Sequence, residues 1–80
     1  MLKSVERLIN AANSGAKRLT LGNHRFERGI GGKGLFFYYH STAVCIVDED
    51  GKVTYNNGGW NTTSTKRTIN SYKSYYGESK

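Results

Sequence analysis

The sequence predicts an α+β domain: an N-terminal helix, a four- or five-stranded antiparallel sheet and a short C-terminal helix, within one domain spanning residues 1–80. Three observations predict it. Apolar residues recur at three- and four-residue intervals over the first dozen positions. Alternating runs separated by turn signals fill the middle, and a hydroxyl-rich stretch opens a second helical pattern near the end.

Leu2, Val5, Leu8, Ile9 and Ala12 fall on one helical face, and Asn13-Ser14-Gly15 supplies the stop. So short a helix is marginal alone in water and must lean on a sheet. Arg18–Leu21 alternates, with Leu19 and Leu21 on one side, before a Gly22-Asn23 turn. His24–Arg28 has Phe26 as its only strong apolar anchor and reads as an edge strand. Residues 35–40 and Thr42–Val47 are apolar on both alternating sets, which marks the two most buried strands, with His40 and Ser41 at the reversal. Asp48-Glu49-Asp50-Gly51 is a hairpin signal, and residues 52–56 return with Val53 and Tyr55 on one side.

Asn56-Asn57-Gly58-Gly59 breaks that strand ahead of Trp60. Thr62, Thr63 or Ser64 then caps a helix over about residues 64–76. Thr65, Ile69, Tyr72 and Tyr76 share one of its faces, and Lys66, Asn70 and Lys73 a neighbouring one. Apolar residues on both faces of the central strands call for two covers. One helix covers one face; the other needs the second helix, a partner subunit or a flat ligand on its aromatics.

Composition excludes several classes. Eighty residues make one domain at most. No stretch approaches the roughly 20 apolar residues of a membrane span, and the N-terminus lacks the zones of a secretory signal, so a cytoplasmic protein is expected. The single cysteine, Cys45, cannot form an internal disulfide, and His24 and His40 have no Cys or acid at metal-ligand spacing. No metal or cofactor is expected. Gly29-Ile30-Gly31-Gly32-Lys33-Gly34 satisfies the letter pattern of a dinucleotide loop, yet a strand-like run follows where that loop needs a helix. It reads as a hairpin tip. Asp48, Glu49 and Asp50 read as a solvated turn, and no catalytic cluster emerges, so the chain is not expected to be an enzyme.

Twelve Lys and Arg against six Asp and Glu leave a net charge of +6. Lys17, Arg18, Arg25, Arg28 and Lys33 against Glu27 form one basic group; Lys52, Lys66, Arg67, Lys73 and Lys80 against Glu78 form another. Aromatics are interleaved with both. Exposed rings beside cations can stack bases while the cations track phosphates. Arg25, Arg28, Lys33, Tyr38, Trp60, Lys66, Arg67 and Lys73 are therefore the candidate contacts to nucleic acid or a partner. The competing reading makes Phe26, Trp60 and Tyr72 core residues and the cations mere solubilisers.

Gly58-Gly59-Trp60-Asn61-Thr62-Thr63-Ser64-Thr65-Lys66-Arg67-Thr68-Ile69-Asn70 resembles a recurring pattern in small bacteriophage-encoded proteins of uncharacterised function. A strand reversal like Tyr39-His40-Ser41-Thr42 often precedes it there, and Ser64-Thr65-Lys66 stands where those proteins have Thr-Thr-Lys. In structural terms the glycines turn the chain, Trp60 plugs the sheet's end, and the hydroxyls cap the helix that Ile69 anchors. The resemblance implies a phage accessory protein acting by binding: an inhibitor of a host nucleoprotein defence complex, of anti-CRISPR type, in the cytoplasm of the infected bacterium. The alternative is a DNA- or RNA-binding module of phage replication or transcription. A homodimer through an exposed sheet face is a third expectation.

Overall fold

A computed structural model describes residues 2–77. The elements are α1 (Lys3–Asn13), β1 (Arg18–Leu21), β2 (His24–Arg28), a 3₁₀ turn (Ile30–Gly32), β3 (Leu35–Tyr39), β4 (Thr42–Val47), β5 (Val53–Tyr55) and α2 (Thr63–Tyr76). The five strands form an antiparallel meander in sequence order. The α+β architecture expected from the sequence is the one present.

On α1, Val5, Leu8, Ile9 and Ala12 are buried, the spacing of a single apolar stripe. Its end is a glycine cap: Gly15 sits at φ +90°, Ala16 N–H donates to Ala11 O (3.0 Å), and Gly15 N–H donates to Ala12 O (3.3 Å). This left-handed position favours glycine because it has no Cβ to clash with the preceding carbonyl.

β2 is not an edge strand. It lies between β1 and β3, and the edges are β1 and β5. Its single apolar anchor misled because its other inward residues are His24 and Arg28, polar groups only half-buried on the helix-facing side. Phe26 itself is fully buried and stacks on Phe37, which in turn meets Tyr72, with centroids 5.2 and 4.8 Å apart. These rings join Val5, Leu8, Ile9, Val44 and Cys45 in one core. Full burial of a large apolar side chain stabilises by roughly 1.5–3 kcal/mol, so truncating Phe37, which meets both other rings, is costly.

Thr62 is the N-cap of α2, its Oγ1 accepting from Thr65 N–H at 3.2 Å. Thr65 and Tyr72 are buried and Ile69 and Tyr76 pack beside the core, as the helical wheel predicts, but Thr68 and Ser71 are buried as well. Their hydroxyls donate back to Ser64 O (2.9 Å) and Arg67 O (3.1 Å), which lets small polar residues line a packed face. Ser71 Oγ also accepts from Leu2 N–H at 3.2 Å and so ties the two helices together.

Both helices occupy the same side of the sheet: α1 packs on β1 and β2, α2 packs on β4, and the two touch. Of the covers open to the second face, a helix is thus eliminated. The register of β4 slips against β3 between Phe37 and Tyr38, inserting one extra residue. This bulge lets the consecutive Val44 and Cys45 both turn into the core.

Candidate functional site

Strand alternation and register define the uncovered face. One row across it reads Thr20, Arg25, Tyr38 and Ala43; the next reads Arg18, Glu27, Phe36, Ile46 and Thr54. Phe36, Tyr38, Ala43 and Ile46 are half-buried by their neighbours alone. The Arg25 guanidinium lies over the Tyr38 ring, 4.2 Å from its centroid. Its Nε stands 3.4 Å from Glu27 Oε2, an ion pair without hydrogen-bond alignment. The central strand therefore offers two aromatic rings on this face, one already carrying a cation.

The other predicted contacts are dispersed. Arg28 points to the opposite face, where Nε donates to Ala16 O (3.0 Å) and Nη2 to Ala12 O (2.6 Å). It holds the C-terminus of α1, whose last turn has no basic residue of its own, and it is a structural cation. Lys33 sits at the β2–β3 tip, 3.8 Å from Glu49, with both side chains well exposed, so the pair contributes little. Lys66 and Arg67 lie on the outer surface of α2, where with Thr63 and Asn70 they edge a shallow groove. Lys73 Nζ stands 5.5 Å from the Tyr55 ring centroid. The structure thus brings Arg25 to Tyr38 and Lys66 to Arg67, and does not gather the basic residues into one stripe. Lys80 and Glu78 lie outside the described residues.

Trp60 does not plug the sheet: it is 62% exposed. The loop before it is braced by its own amides, with Gly58 N–H donating to Asn56 Oδ1 (3.0 Å) and Gly59 N–H to Asn57 Oδ1 (2.8 Å). Trp60 N–H donates to Asn57 O at 2.9 Å. Gly58, at φ +60°, lies so close to β4 that a Cβ there would stand 2.7 Å from Thr42 Cγ2. The loop is thereby fastened to the β3–β4 turn, and Trp60 is left at the rim of a cleft of about 540 Å³.

That cleft is the feature sequence reasoning missed. Tyr39, His40, Ser41 and Thr42 from the β3–β4 reversal meet Asn57 and Trp60 from the loop and Ser64 and Thr65 from the first turn of α2. Val44 reaches its floor through the bulge. Its walls come from segments far apart in sequence, residues 39–44 and 57–65, so no local pattern signalled it. His40 holds φ +56°, unusual for a side-chain-bearing residue, and its ring lies 4.4 Å from that of Tyr39.

The titratable groups are set by burial. It pushes the Cys45 thiol up to about 12, so the thiolate needed for nucleophilic chemistry is scarce at neutral pH. Burial, and secondarily the charge of His40, lowers the pKa of His24. Among the described residues no three His, Cys, Asp or Glu side chains come together as a metal site, and no helix is long and apolar enough to cross a membrane. No family model, curated protein or solved structure matches this chain.

Proposed function

We propose that this protein acts by binding and not by catalysis, laying its uncovered sheet face against single-stranded nucleic acid. One observation carries the reading: both helices cover the same side, so Phe36 and Tyr38 of the middle strand are left only half-buried, Tyr38 under Arg25 and Phe36 across Glu27 from Arg18. Bases stack on such rings and on guanidinium planes, while the +6 net charge favours a phosphate backbone. Glu27 opposes this locally and sets a direction for testing. The resemblance to small phage-encoded proteins supports the finer reading that the strand is displayed by a host nucleoprotein defence complex, which the protein inhibits in the manner of an anti-CRISPR.

The test is fluorescence anisotropy with labelled single-stranded RNA and DNA. Affinity is expected to fall steeply between about 50 and 200 mM salt. Tyr38→Ala and Arg25→Ala are expected to weaken binding by at least about fivefold, since each base stack is worth roughly 1–3 kcal/mol. Glu27→Gln is expected to tighten it. Binding absent even at low salt, or indifferent to Arg25 and Tyr38, refutes the proposal.

A further inference from the structure

Among the described residues no Lys, Arg, Asp or Glu lines the cleft at the His40-Ser41 turn, in a molecule of net charge +6. The cleft therefore offers a phosphate or carboxylate no Lys or Arg to pair with, only the N-terminal turn of α2. Its polar groups are mostly hydroxyls. The side-chain oxygens of Ser41, Thr42 and Ser64 make no hydrogen bond among the described residues, and Asn57 uses Oδ1 on Gly59 N–H while its amide nitrogen stays available. Each hydroxyl rotates to donate or accept, so together they match a ligand that itself presents hydroxyls.

The exposed Trp60 ring in the same lining offers one flat apolar surface. His40 is held at the rim in a left-handed backbone conformation that persists only where its surroundings enforce it. A pyranose ring has the complementary pair of surfaces: a face of C–H bonds and a rim of hydroxyls. We propose that this cleft binds a neutral pyranose saccharide, its C–H face on Trp60 and its hydroxyls on Ser41, Thr42, Ser64 and Asn57. A nucleobase edge requires fixed donor–acceptor pairs, and Asn57 is the only amide side chain in the lining. An apolar peptide side chain would strip water from three hydroxyls and return no partner. The volume, about 540 Å³, lies within the range of small-ligand sites and accommodates a mono- or disaccharide. This site is on the helix side of the sheet and is independent of the nucleic-acid face.

Trp60 is the only tryptophan in the chain, so intrinsic fluorescence reports on the cleft directly. The full chain is titrated with maltose, lactose and N,N′-diacetylchitobiose up to roughly 10 mM, the range where a few hydrogen bonds and one stacking contact are detectable. At least one sugar is expected to give a saturable fluorescence change, with amide chemical-shift changes confined to residues 39–44 and 57–65. Thr42→Val and Ser64→Ala are each expected to weaken that sugar's binding by about threefold to tenfold. The wild-type chemical-shift map stands whether or not a variant folds. No saturable response to any of the three sugars overturns the proposal. So does a response elsewhere on the protein, or one given by adenosine or uridine and by none of the sugars.

Discussion

Replacing Arg28 by Met separates a structural cation from a partner-binding one. The methionine keeps an apolar stem of similar length and removes the guanidinium that donates to Ala12 O and Ala16 O. A hydrogen bond to a charged group is worth about 1.5–3 kcal/mol, and removing the cation also forfeits about 0.3–1 kcal/mol of interaction with the helix end. Arg28 is only half-buried, and Ala12 O keeps its bond from Gly15 N–H, so the lower ends apply. The expected loss is about 2–3 kcal/mol, a fall in Tm of about 10–20 °C for a domain of this size. Arg28→Lys, which can reach one carbonyl at a time, is expected to lose about half as much. Urea unfolding followed by circular dichroism measures both, with an unchanged denaturant slope as the check that the same two states are compared. A loss below about 0.5 kcal/mol for Arg28→Met refutes the assignment, and weakened nucleic-acid binding with stability intact restores Arg28 to the binding surface.

Two further outcomes are expected. Gly58→Ala combines a left-handed φ of +60° with a Cβ 2.7 Å from Thr42 Cγ2, whereas Gly59 has left-handed φ and nothing within 4 Å. The first is expected to cost about 2–4 kcal/mol and the second about 1–2, and Thr42→Ser in the Gly58→Ala background is expected to recover part of the difference. His24 has a folded-state pKa below its ordinary 6.5, so the unfolded chain binds more protons between those two values. Its contribution to stability is whole above pH 6.5 and is lost as the pH falls towards the folded-state value; His24→Gln is expected to flatten that part of the stability-against-pH curve. A wild-type profile just as flat refutes the link.

Local periodicity carries much of this fold. The stripe through Val5, Leu8, Ile9 and Ala12, a hydroxyl cap among Thr62, Thr63 and Ser64 and the Asp48–Gly51 hairpin depend on neighbours within a few residues, so the sequence alone determines them, and the structure selects Thr62 as the cap. Strand adjacency, the side on which each helix lands and the exposure of Trp60 depend on contacts between distant segments. His24–Arg28 looks like an edge because its inward polar groups are accommodated by parts of the chain that no local pattern reveals, above all the carbonyls of Ala12 in α1 and Ala16 just after it, which Arg28 reaches. Arg25 and Tyr38 are legible as candidates, but only the β2–β3 register sets one over the other. The cleft was hidden for the same reason: it exists because a glycine lets the loop close on Thr42 and a bulge turns Val44 inward, and both are properties of packed tertiary structure.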